Sequence, residues 1–217
     1  YKIVFDGHYT QPTIEGPKFY KRNSFYYIMA PAGSVKTGWQ VCLRSKNIYG
    51  PYEEKIVMMQ GASKTNGPHQ GALIDINENQ FAFLHFQDMK AYGRVVHLQP
   101  VEWIEDWPIC GKIGDPLLPG IPYEECDYLI DLESNYSIPV SDEFDSDELS
   151  LIWQTPANKT GHWYDLKDGL TLHCVYTDEA ASKALNLTPN LFLTKLALPS
   201  FTVHTLCHLH LEKDGDE

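Results

Sequence analysis

Pro12-Thr13-Ile14-Glu15-Gly16-Pro17-Lys18 sets one carboxylate between an apolar residue and a stiff Gly-Pro turn, ahead of the aromatic run Phe25-Tyr26-Tyr27-Ile28. A general acid needs a seat of this kind, because partial desolvation tunes its proton affinity and its position must be fixed. The plainer reading of Glu15 is a solvated turn residue in front of a strand. His69 lies in Gly67-Pro68-His69-Gln70-Gly71, between backbone-permissive residues that let a ligand or ion come close. A hard cation prefers oxygen and one imidazole does not make its site, so a hydrogen-bonded structural histidine is the alternative. Arg94 follows Gly93 at the head of an apolar run. A guanidinium there can hold a neighbouring carboxylate ionised, or can simply face solvent.

Other clusters carry less. His204, His208 and His210 fall on one side of an extended segment around Cys207, but a lone strand spreads them and they read as a polar face. Asp142, Asp145 and Asp147 resemble a calcium loop only superficially, lacking its Gly and terminal Glu, and read as a solvated acidic turn. Gln87 and Asp88, at the end of the strand after His85, are candidates for a pocket rim and nothing firmer. Five cysteines without CxxC spacing (Cys42, Cys110, Cys126, Cys174, Cys207) read as free thiols.

The elements that must position these residues are all of one kind. Up to about Val101, short aromatic and β-branched runs alternate with Gly, Pro and Asn turns. Lys18–Tyr20 and Phe25–Ala30 form a predicted hairpin about Arg22-Asn23-Ser24, and Ala72–Ile76 with Phe81–Phe86 form a second about Asn77-Glu78-Asn79. Gln40–Arg44 and Arg94–Leu98 are further predicted strands. From Trp107 to Pro139, five prolines interrupt any regular pairing. Leu149–Gln154, Leu170–Tyr176 and Phe201–Leu211 then read as strands of a second all-β unit, with a polar connection through Asp178 to Lys183. The predicted boundaries are 1–110, a Pro-rich linker at 111–138, and 139–217. With 43% hydrophobic residues the chain can bury a core, and its net charge of -12 argues against a nucleic-acid partner. No apolar run reaches the length of a membrane span.

Four segments in order carry a resemblance to glycoside hydrolase family 43, the five-bladed β-propeller xylosidases and arabinofuranosidases. They are Ile14-Glu15-Gly16-Pro17-Lys18, Leu43-Arg44-Ser45-Lys46-Asn47-Ile48-Tyr49-Gly50-Pro51-Tyr52-Glu53, Gly67-Pro68-His69-Gln70-Gly71, and Gly93-Arg94 followed by Leu98-Gln99-Pro100-Val101-Glu102-Trp103. Ser141-Asp142-Glu143-Phe144 with Leu151-Ile152-Trp153-Gln154 resembles the opening of the concanavalin-like β-sandwich appended to many such enzymes. The resemblance implies an all-β chain: a partial five-bladed propeller, later blades only, followed by an incomplete sandwich. It matches Glu15 to the family's general acid and Arg94 to its inward-pointing arginine, a contact for sugar hydroxyls or an acidic site residue. His69 is matched to a histidine near the propeller axis, a substrate contact often close to a structural calcium; no organic cofactor is implied. Trp39, beside Gly38, is the one ring near the loop 31–38 on which a sugar could stack, against the alternative that it packs in the core.

The implied partner is an oligosaccharide or polysaccharide such as xylan or arabinoxylan. The implied reaction inverts the anomeric centre and needs a second carboxylate as base. By the resemblance, that base and a tuning Asp belong to blades preceding Glu15, so the base is expected outside this chain. Asp6, in the turn Val4-Phe5-Asp6-Gly7, is not assigned the role. Two rival expectations follow: a non-catalytic carbohydrate-binding module, or a truncated fragment without activity. A periplasmic or extracellular destination is implied by the resemblance alone.

Overall fold

The structure is a computed structural model and describes residues 1–127, 129–130, 141–156, 162–196 and 200–211. Two compact units divide the chain, Tyr1–Glu133 and Ser134–Glu217.

The first unit is two four-stranded antiparallel meanders, the architecture of propeller blades. One has the order β1 (Lys18–Arg22), β2 (Phe25–Ala32), β3 (Trp39–Ser45) and β4 (Glu53–Met58). The other has the order β5 (His69–Asp75), β6 (Phe81–Asp88), β7 (Arg94–Ile104) and β8 (Trp107–Cys110). Each strand pairs with its neighbour in sequence, so short turns fix the register. Arg22 pairs with Phe25 across Asn23-Ser24, and Asn23 takes the left-handed φ of 51° that such a tight connection requires. In the β5–β6 turn, Asn77 Oδ1 accepts from the Asn79 amide and Ile76 donates to the Gln80 carbonyl.

The core lies between these two sheets. Tyr27, Met29, Cys42, Val57 and Met58 meet Phe81, Phe83, Val101, Trp107, Ile109 and Cys110. Polar ties cross the same seam: the Tyr27 hydroxyl donates to the Asp106 carbonyl and the Leu73 amide donates to the Tyr20 hydroxyl. Burial pushes the Tyr27 hydroxyl pKa up to about 12, and the Asp106 charge adds to the rise.

Both predicted hairpins are present; their strands run longer than predicted, except that Ile76 falls in the β5–β6 turn. Two strands fall outside the predicted set. β4 opens on exposed Glu53-Glu54, and its charged start masks the apolar end. β8 contains Pro108, which demotes a run to non-strand in sequence; here β8 is an edge strand, where a missing N–H costs no ladder bond. Trp107–Cys110 is therefore part of the sheet rather than the start of an unpaired stretch.

The second unit departs further from the predicted strands. Among its described residues the strands are β9 (Tyr164–Asp165) and β10 (Thr171–Leu172), joined across Asp168-Gly169, both at left-handed φ. Leu170–Tyr176 thus shrinks to two paired residues, and Leu149–Gln154 holds a turn and an isolated bridge from Gln154 to Leu193. Phe201–Leu211 is not a strand: every residue in it is exposed, and it joins none of the described sheets. Alternation alone does not make a strand without a partner to complete its ladder. The polar connection instead yields a short helix, α1 (Glu179–Lys183), capped by Asp178, whose carboxylate accepts from the Ala181 amide. A small aromatic cluster packs Trp163 against Phe192 and Tyr164, with Trp153 stacked on Phe144.

Candidate active site

Glu15 rides on an arm fastened to the end of β2. Its amide donates to the Pro31 carbonyl at 3.1 Å, and the Gly33 amide donates back to the Pro12 carbonyl at 2.8 Å. The Thr13 hydroxyl donates to the Gly33 carbonyl. Farther back, buried Gln11 anchors the arm to the sheet: its Nε2 donates to Glu54, and its Oε1 accepts from Trp39 Nε1 at 2.7 Å. Gly33, at φ 80°, must be glycine, because a Cβ there would meet Gly38 Cα at 2.8 Å and the Trp39 ring at 3.0 Å.

The opposite wall comes from a β-bulge. His69 pairs with Phe86 and Ala72 with Leu84, so Gln70 and Gly71 together face the single residue His85. Gln70 sits at φ 59°, a strained value for a side chain of its size. Gly71 is obligatory, since a Cβ would fall 1.3 Å from the Leu84 carbonyl oxygen. Two glutamines stabilise the bulge and turn it to use. Buried Gln40 accepts the Gln70 amide through Oε1 at 3.1 Å, and Gln70 Nε2 donates to Glu15 Oε1 at 3.1 Å.

Glu15, His69, Gln70 and Arg94 line one cavity of about 370 Å³ together with the chain at 31–35. Three of the residues singled out in the sequence therefore converge. His69 is buried, and its Nδ1 lies 2.7 Å from the Gly67 carbonyl. That oxygen only accepts, so Nδ1 carries the proton and Nε2 presents a lone pair. Burial drives the His69 pKa down, and the Arg94 charge lowers it further; the Gly67 hydrogen bond and the Glu15 charge oppose this. A Cβ at Gly38 would meet His69 Cδ2 at 2.6 Å, so a glycine there is what lets the loop close on the ring. Arg94 is exposed, its guanidinium 4.7 Å above the Phe86 ring.

Other expectations are met differently. Glu15 is exposed rather than partly desolvated, and among the described residues lining the cavity it is the one carboxylate. Trp39 is not among the lining residues; its ring packs with Ala32, Val41 and Leu43 in a second core cluster and its N–H is spent on Gln11. Gln87 instead holds the loop at Lys64–Asn66, and its Oε1 lies 3.2 Å from His97 Nε2. Asp6 receives the His8 amide in a local turn. Asp142 is not simply solvated: it accepts from Trp153 Nε1 at 2.7 Å and from the Phe144 amide. All five cysteines are free thiols.

Nothing in local sequence pattern marks Gln70 or Gln40, because their roles arise from the bulge and from a pairing thirty residues apart. A potential metal-ligating cluster exists among the described residues at His162, Asp165 and His173, and it does not include His69.

Residues 2–108 match the model for glycosyl hydrolases family 43, and residues 141–217 match that for the beta xylosidase C-terminal concanavalin A-like domain. A putative beta-xylosidase of Xylanibacter ruminicola is 43% identical over 180 residues, covering 82% of this chain and 34% of that protein. A beta-xylosidase of Formosa agariphila is 32% identical over 184 residues, covering 75% of this chain and 31% of its own length. The solved structure of a bifunctional GH43-CE protein from Bacteroides eggerthii matches with TM-score 0.63 at 25% identity, covering 84% of this chain and 23% of that one. The chain spans about a third of the length of the curated relatives it matches.

Proposed function

The chain belongs to glycosyl hydrolases family 43, and on that footing we propose that it supplies the acid side of an inverting glycosidase site. In this reading the substrate is a xylose or arabinofuranose unit at the end of a plant hemicellulose chain. Relatives named as a beta-xylosidase and as a non-reducing end alpha-L-arabinofuranosidase of Bacteroides ovatus support that substrate class. The observation that carries the proposal is the convergence of Glu15, His69 and Arg94 on one cavity, with Glu15 held by Gln70.

Each side chain then has a role that follows from its hydrogen-bonding state. Gln70 Nε2 donates to Oε1 of Glu15, which leaves Oε2 to carry the proton given to the departing glycosidic oxygen. His69 Nε2, holding a lone pair, accepts from a sugar hydroxyl. Arg94 donates to ring hydroxyls and keeps a facing carboxylate ionised. The base that activates water must lie across the sugar at roughly 6.5–9.5 Å from the acid. With Glu15 the one carboxylate among the described cavity residues, the base is assigned to a part of the protein outside this chain. A calcium beside His69 would be structural or electrostatic; the imidazole offers one nitrogen, and its remaining ligands would be oxygens from elsewhere. No step depends on it.

Hydrolysis of aryl β-xylosides and aryl α-arabinofuranosides by the whole protein tests the assignment. Glu15→Gln should cut turnover by about 10²–10⁴ on substrates with poor leaving groups and far less on activated aryl glycosides that need no proton. Equal loss on both kinds, or no loss, overturns it. The single carboxylate favours one second reading, a carbohydrate-binding surface without catalysis. Oligosaccharide binding with no turnover in the whole protein would establish that instead.

A further inference from the structure

The second unit holds a cluster that the glycosidase reading does not use. His162 Nε2 lies 2.6 Å from Asp165 Oδ1, and His173 Nε2 lies 2.7 Å from Asp165 Oδ2. The three candidate ligand atoms all fall within 4.8 Å of one another, and the two imidazole centroids are 6.1 Å apart. The hairpin explains the convergence. The His173 amide donates to the Trp163 carbonyl and Thr171 pairs with Asp165, which sets Asp165 and His173 on one face of the ribbon. His162 stands just before β9, outside the strict alternation, and folds toward the same carboxylate. The Asp168-Gly169 turn keeps the two arms together with no long loop to order.

We propose that His162, Asp165 and His173 form a site for a zinc-type transition metal that clips the β9–β10 hairpin. Two imidazoles and one carboxylate, with water in the fourth position, are a recurrent tetrahedral zinc set. Imidazole nitrogens suit zinc, copper or nickel and disfavour calcium, which takes six to eight oxygens. In the metal-free state the carboxylate collects an N–H from each ring, and those hydrogen bonds hold its pKa below the usual carboxylate range. Metal entry replaces the two Nε2 protons with coordination bonds: each ring presents its Nε2 lone pair and moves its proton to Nδ1, or releases it to solvent where the ring was cationic. The consequence is structural. Two strands of two residues each are a weak ribbon, and a bond across their ends ties down what the ladder alone holds loosely. The inference is independent of the role given to Glu15.

Equilibrium dialysis of the full chain against ZnCl2 in chelator-free buffer near neutral pH tests it, paired with thermal unfolding. One equivalent should bind saturably, CaCl2 in excess should not displace it, and unfolding of the metal-loaded chain should rise by about 5 °C. His162→Ala and His173→Ala should each weaken binding by about 10-fold or more, and the double variant should lose both the binding and the thermal shift. His162 is 76% and His173 45% exposed, so the variants should keep the parent far-ultraviolet circular dichroism. Cys174→Ser and His208→Ala should leave binding unchanged, and Co²⁺ in place of zinc should give tetrahedral ligand-field bands without a thiolate charge-transfer band. Absence of saturable binding, binding that survives the double variant, or a thiolate band would each overturn the site.

Discussion

The two units apply the same chemistry, short β-strands and aromatic side chains, with different success. In the first, eight strands pair with sequence neighbours and two sheets close over a core in which Tyr27, Phe83 and Ile109 have no exposed surface. In the second, the described strands are two residues long, and the apolar run Phe201, Val203, Leu206, Leu209 and Leu211 lies open. The difference is one of partners rather than composition. A strand is stabilised by a ladder and a covered face; the first unit finds its ladders between sequence neighbours and its covered face where one sheet packs on the other. The site follows the same rule: the Glu15 arm and the Gln70 bulge are held by bonds to well-packed strands, which is what lets a strained Gln70 persist.

The sharpest way to break this comparison is to remove one phenylalanine from each unit. Phe83→Ala empties a fully buried position and should cost about 3–5 kcal/mol. Phe201→Ala, at 53% exposure, should stay within about 0.5 kcal/mol. Urea unfolding of both variants reads the difference, and similar midpoints would mean that the second unit packs far better than its surface shows.

Acid should separate the units next. His85 is 2% exposed, stacked between Phe83 and His97, and its Nε2 has no partner. Burial, with lesser contributions from His97 and His69, pushes its pKa down to about 4, against the Phe86 carbonyl bond that raises it. The unfolded chain takes up this proton near pH 6.5, whereas the folded chain resists it until about 4. Stability is therefore full above pH 6.5 and is lost as pH falls toward 4, by roughly 3 kcal/mol. His69 and His97 are shifted the same way. In the second unit Asp165 is shifted down, so its contribution is present above the ordinary carboxylate range and is lost only at more acid pH. Replacing His85 with Phe fills the stack without an ionisable group, and should flatten the loss of first-unit stability between pH 6.5 and 4. An unchanged slope would place the acid sensitivity elsewhere.

How much of this was legible in the sequence varies with the range of the interaction. The hairpins at Asn23 and Asn77 announce themselves through local turn chemistry, and the meander follows because neighbours pair. β8 was hidden by Pro108, whose tolerance depends on an edge position that no local pattern reveals. Phe201–Leu211 shows the converse, a strand-like alternation with no described strand beside it. Glu15, His69 and Arg94 came from resemblance, and their convergence bears on the site; Trp39, offered for sugar stacking against the alternative of core packing, packs with the second core cluster. Gln70 sat inside a quoted motif yet gave no sign of its role, because the bulge that aims it requires Gly71 to press against the Leu84 carbonyl.

The finest test compares one kind of bond in the two settings, a side-chain oxygen accepting a backbone amide. In the first unit, buried Gln40 accepts the Gln70 amide; in the second, exposed Asp178 accepts the Ala181 amide at the start of α1. Gln40→Leu keeps the apolar volume but strands the Gln70 N–H in a half-buried bulge, where water replaces the lost partner poorly. The expected cost is about 1–3 kcal/mol. Asp178→Ala removes the N-cap acceptor of the Ala181 amide, a loss typical of an uncapped helix start, so the cost should be about 0.5–1 kcal/mol and confined to α1. Activity separates a positioning role from a merely structural one. If Gln40 acts by holding Gln70 against Glu15, Gln40→Leu in the whole protein should lower kcat by about 10-fold with little change in KM, the mark of an interaction felt in the transition state. The loss should vanish on activated leaving groups that need no acid. A rise in KM alone would show that the bulge shapes the sugar pocket without governing the carboxylate.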